Sequence, residues 1–201
     1  GSLHTAICPA ITTIAGGGNK EQLEGLVIRT CKFLMLILSF FYLPLHLELK
    51  YVLTLWLKEP PTYTYEFCCL VAVATFINSM SVPYALALES QQKIGIYKTI
   101  SCFQILLFWP ILFALFYFYK SPLIVVIAMI LTNTGNVFVN LFYCRKMFGF
   151  SINRWLLNAV VPVFACLVLP VLIGGLLHLL LPSSFIRFVL TGTIIVPLFI
   201  G

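Results

Sequence analysis

Long apolar runs almost free of charge limit this chain more than any other feature. From Pro122 to Cys144 it reads PLIVVIAMILTNTGNVFVNLFYC, without one charged side chain. A helix of about 20 apolar residues crosses the hydrocarbon of a bilayer. Only 9% of the 201 residues are charged and 61% are hydrophobic, and the mean hydropathy is +1.06. A water-facing domain carries roughly 25% charged residues. The solvent of this chain is therefore mostly lipid, and the fold class is an all-α, polytopic transmembrane bundle.

The 20-residue requirement divides the chain into seven expected segments: about 1–16, 29 into the high forties, 65–88, 98–119, 122–143, 157–181, and one starting near Phe185. That is about five complete membrane helices and two partial ones. The connections leave no room for a soluble domain, so residues 1–201 read as one transmembrane region. Two connections are only a few residues long, around Lys120-Ser121 and Pro182-Ser184, so consecutive helices are expected to be antiparallel neighbours. The chain opens on GSLHTAICPAI and stops inside an apolar run, so it is expected to be an internal piece of a longer membrane protein.

Sidedness follows from the basic residues. The connections after the first, third and fifth segments hold Lys20, Arg29, Lys32, Lys93, Lys98, Arg145, Lys146 and Arg154. Those after the second, fourth and sixth hold Lys50, Lys58, Lys120 and Arg187. The richer set belongs in the cytoplasm. The basic residues stand singly between apolar runs rather than in a cluster, so the net charge of +6 does not point to nucleic acid. The second segment is too long for a simple span. Pro44 removes a helix hydrogen bond and crowds the preceding turn, which predicts a kink near Pro44, with the stretch through Trp56 at the outer interface.

Within the span quoted above, Asn133, Asn136 and Asn140 are spaced i, i+3 and i+7. At 100° per residue they fall within about 60° of one another. Gly135 lies off that stripe, where a neighbouring helix can approach. An amide facing hydrocarbon leaves its hydrogen-bonding groups unmet, at a cost of several kcal/mol. The stripe therefore faces protein or water: it is either glue between helices or the wall of a polar cavity. Thr75, Asn78 and Ser79 form a similar face in the third segment, and Gln104 interrupts the fourth. Pro83, Pro110, Pro162 and Pro170, with Gly174 and Gly175, favour a mobile bundle over a rigid anchor.

The chain has no Asp, and its six glutamates all lie near segment ends. No buried ion relay of the kind that marks coupled transport is evident. No catalytic set can be assembled, so the chain is not expected to be an enzyme. The seven cysteines form no CxxC, and no His-rich spacing accompanies them. Neither a metal, a cofactor nor a disulfide framework is indicated.

One combination carries a resemblance. CPAITTIAGGGNKEQLEGLVIRTCKF joins an apolar-Pro-aliphatic turn, a Gly-rich connection and a basic residue opening the next helix. That helix carries FFYLPL, followed by VLTLWLKEPP and then SMSVPYALALESQQKIGIYK. This order resembles the polysaccharide and O-antigen flippases of the multidrug/oligosaccharidyl-lipid/polysaccharide exporter superfamily. In that pattern LTLWL is often followed by Gly, where Lys58 stands here. A Thr-Gly pair often precedes KIGIYK, where Gln91-Gln92 stand here.

The resemblance implies a two-lobe transporter of twelve to fourteen helices. This chain would run from the end of helix eight into helix fourteen. The implied activity is alternating-access flipping of undecaprenyl-pyrophosphate-linked oligosaccharide from the inner to the outer leaflet of a bacterial inner membrane, for surface polysaccharide. Implied partners are that substrate, the bilayer and other polysaccharide-assembly membrane proteins. The cavity candidates are then Asn133, Asn136, Asn140, Asn78 and Gln104. The headgroup candidates at the cytoplasmic mouth are Arg29, Lys32, Lys93, Lys98 and Arg145. A drug/cation antiporter of the same superfamily should place an acid inside a span. A membrane polymerase or glycosyltransferase should carry a sizeable outer loop with catalytic acids or histidines. A non-transporting membrane scaffold stays open on sequence alone.

Overall fold

The computed structural model describes residues 11, 13–14, 20–90, 95–119 and 121–180. Most of those residues are helical, and none is in a strand. The helices are α1 (Lys20–Leu47), α2 (Leu49–Leu57), α3 (Thr64–Glu89), α4 (Gly95–Tyr119), α5 (Ile124–Phe148), α6 (Ile152–Trp155) and α7 (Val161–Leu180). A π turn, Leu156–Val160, joins α6 to α7. Five stretches are long and apolar enough to cross a membrane, in α1, α3, α4, α5 and the α6–α7 unit. The chain is a multi-pass membrane helix bundle. The first expected segment, apart from Ile11, Thr13 and Ile14, and the seventh lie outside the described residues.

The expectation that consecutive helices are neighbours holds for α1 with α3 and for α4 with α5, which the short connection around residues 120–121 joins, and fails for α3 with α4. The most extensive pairing joins α3 to α5. Helix α1 packs on α3, α4 packs on α5, and the α6–α7 unit packs on α1. The consecutive helices α3 and α4 make no extended contact among the described residues. A short connection fixes only that two ends lie close on one face of the membrane. Which helices pack along their length is decided by side chains. The α3/α5 contact partners, 74 with 133, 81 with 140 and 84 with 144, keep a nearly constant offset. Those two helices are therefore parallel, and both run from outside to inside on the charge count.

The buried centre lies toward the cytoplasmic half. Tyr84 meets Phe150 and Trp155 edge to face at 6.4 and 6.5 Å, and Phe148 stacks on Phe150 at 5.1 Å. Such ring pairs fix geometry as well as bury area. They pin the short turn after α5 between α3 and the start of α6. Outward, α4 leaves Phe103, Trp109, Phe113, Tyr117 and Phe118 exposed. In lipid such side chains need no covering, because hydrocarbon is as apolar as they are.

The π turn has a packing cause. Trp155, Ala159 and Val163 are all buried, at successive four-residue steps. On an ideal α-helix each such step drifts by about 40°, so Val163 would stand about 80° round from Trp155. A wider turn between them restores one buried stripe. Its mark is the Val161 N–H, which reaches back five residues to the Leu156 carbonyl.

At the outer end, α1 continues through Pro44 and divides four residues later, at Glu48. The division is marked by a stretched bond of 3.3 Å from the Glu48 N–H to the Pro44 carbonyl. Glu48 is buried, and Lys50 stands 5.0 Å over the Tyr65 ring. Lys58 ends α2 with φ 57° and ψ −56°. A side chain there is strained, which is why glycine suits this position. We expect Lys58→Gly to stabilise the protein by about 1 kcal/mol. Thermal unfolding in detergent reads this as a higher midpoint, and a lower midpoint would count against the strain.

Candidate functional site

The asparagine stripe of α5 divides into two parts. Asn133 is buried, and its Nδ2 donates to the Ala74 carbonyl of α3 at 2.9 Å. Asn140 is buried, and its Nδ2 donates to Ser81 Oγ. One turn further, the Cys144 thiol donates to the Tyr84 carbonyl at 3.6 Å. These three contacts form the polar seam between α3 and α5. Ser81 was not among the sequence candidates. Its signal was present: it stands seven residues after Ala74, two turns along the same face.

Asn136 and Asn78 are placed otherwise. Asn136 is half-buried and Asn78 is exposed. Neither makes a side-chain hydrogen bond among the described residues. Viewed along the two parallel helices from their outer ends, Asn78 stands about 40° clockwise of Ala74. Asn136 stands about 60° anticlockwise of Asn133. Because the helices face each other, these opposite turns bring both amides to the same flank of the seam. Thr75 lies toward that flank, its hydroxyl already bonded to the Val71 carbonyl at 2.8 Å.

Gln104 sits between α4 and α5. Its Nε2 lies 3.4 Å from the Thr132 carbonyl, and its buried Oε1 has no hydrogen-bond partner among the described residues. Gly135 faces it. A Cβ at that position would stand 3.0 Å from Gln104 Nε2, so glycine permits the approach of α4.

A second polar feature lies at the cytoplasmic end. An open groove of about 580 Å³ is lined by Glu21, Glu24, Arg29, Lys32, Arg154 and Asn158. Glu24 is buried although it stands in the second turn of α1. Its Oε1 accepts the Ser151 backbone N–H at 2.7 Å, and its Oε2 accepts from Arg154 at 3.3 Å. Arg154 also lies 4.0 Å from Glu21. This carboxylate ties α1 to the chain entering α6. Neither Glu24 nor Arg154 was among the sequence candidates, because position near a segment end says nothing about protein packed above it.

The four described headgroup candidates are not gathered in one place. Arg29 and Lys32 line the groove. Lys98 is paired with Glu89. Arg145 is exposed in the last turn of α5, where a cation is favoured by the helix dipole. Lys93 lies outside the described residues. Among the described residues, no group of three or more His, Cys, Asp or Glu is placed to hold a metal ion. In comparisons with known proteins, no family model, no curated protein and no solved structure matches this chain.

Proposed function

We propose that the chain is part of a bacterial inner-membrane transporter that flips undecaprenyl-pyrophosphate-linked oligosaccharide from the inner to the outer leaflet by alternating access. The carrying observation is the shared flank of Asn78 and Asn136. Two amides with no hydrogen-bond partner among the described residues, on one side of a seam whose other asparagines are bonded, are costly against lipid tails. The same amides suit a cargo of sugar hydroxyls, which need both donors and acceptors. In this reading Asn133 and Asn140 hold the lobe together, and Asn78 and Asn136 belong to the cavity wall. The family resemblance of the α1–α3 motifs supplies the substrate class. Other membrane proteins of polysaccharide assembly are the expected partners.

A drug/cation antiporter is less well supported. The buried acids Glu24 and Glu48 lie at the two ends of α1 rather than within a span. The test of the transport reading is genetic. Deleting the gene should remove surface polysaccharide, and the full-length gene should restore it. A deletion strain with unchanged surface polysaccharide overturns the reading.

A further inference from the structure

We infer that the cytoplasmic groove between α1 and the π turn binds the phosphate of a membrane lipid. Its occupant is a phosphate-bearing headgroup in the inner leaflet. Three observations carry this.

The first is the distribution of charge in the groove. Glu24 is already satisfied by Ser151 and Arg154. Arg29 and Lys32 make no hydrogen bond or ion pair among the described residues. The groove thus presents two uncommitted cations beside a third that its own carboxylate orients. Guanidinium and ammonium groups are strong donors to phosphate oxygens.

The second is depth. Lys32 follows Glu24 by eight residues, about 12 Å along the axis. Glu24 is level with Ser151, in the turn that leaves the membrane after α5. The cations therefore descend from the cytoplasmic surface toward the acyl chains, as a lipid headgroup does. Charged side chains at such depth line cavities or ligand paths rather than face hydrocarbon.

The third is the π turn. It places Asn158 on the groove, four residues after Arg154, so a neutral donor stands beside the cations. Such turns recur at functional sites. A purely structural π turn would restore the buried stripe equally well with any residue facing the groove.

The experiment is native mass spectrometry of the detergent-solubilised full-length protein. It is offered phosphatidylglycerol, phosphatidylcholine and undecaprenyl pyrophosphate in turn. An anionic lipid should be retained over phosphatidylcholine. The Arg29→Gln/Lys32→Gln variant should lower that retention roughly tenfold, and Lys146→Gln, at an exposed position in the last turn of α5, should not. Asn158→Leu should weaken retention without removing a charge, and it serves as the second variant if the double one melts early. Groove-dependent retention of phosphatidylglycerol identifies a resident lipid. Groove-dependent retention of undecaprenyl pyrophosphate alone identifies the cargo's own headgroup. Equal retention by parent, double variant and Asn158→Leu overturns the inference. Retention is read without flux, so this result and the deletion test can fail separately.

Discussion

Leucine at both Asn78 and Asn136 is expected to cut export of surface polysaccharide roughly tenfold or more, each lost amide removing about 0.5–1.5 kcal/mol of cargo interaction. Membrane insertion and thermal unfolding should stay as in the parent. Neither amide has a bonded partner to orphan among the described residues, and such changes usually move stability by no more than about 0.5 kcal/mol. The seam asparagines should behave in the opposite way. Asn133→Leu and Asn140→Leu each strip a bonded contact to α3. Hydrogen bonds between membrane helices contribute on average about 0.6 kcal/mol and at most about 1.7. Each seam variant should therefore lower the unfolding midpoint, and any loss of export should follow the loss of folded protein. Export from complemented cells and melting of the purified variants separate the two pairs. Unchanged export in the Asn78/Asn136 variant would remove the cavity wall and leave only packing.

The second large effect is at Glu24. Alanine there should destabilise the protein by about 2 kcal/mol, the order expected when a hydrogen-bonded charge is lost and its partners are left behind. Glutamine should cost less. It still offers an oxygen to the Ser151 N–H. It loses only the charge facing Arg154, whose side chain is 57% exposed. Exposed pairs of that kind contribute no more than about 1 kcal/mol. If alanine and glutamine melt alike, the Ser151 contact is not what holds α6 to α1.

Much of the architecture was legible because the bilayer leaves few options. A run such as the one around Met129 has to be a spanning helix, and the placement of basic residues orders the spans. The asparagine spacing was legible as a single stripe. Its division was not, since Asn133 and Asn136 differ by only about 60° and one of them is bonded while the other is not. The neighbour order was not legible either. Residues 90–94 are all that separate α3 from α4, yet the most extensive packing partner of α3 comes a full helix later. Nothing local to Ala74 announces Asn133. The groove escaped for the same reason: Glu24 and Ser151 are 127 residues apart, and each looks like an ordinary segment end.

That separation also sets an order of biogenesis. The contacts of α3 with α5 join residues 59 or 60 apart, with the whole of α4 made in between. At synthesis rates of roughly 5–20 residues per second, α3 waits several seconds in the membrane with Ser81 unpaired. During that time α4 must enter without occupying the place kept for α5. The exposed aromatic face of α4 fits that requirement, since it offers lipid a better surface than it offers α3. The last helix of the parallel pair thus completes the polar seam from between two helices already inserted, and a chain stalled before Asn133 would present an open polar flank to the membrane.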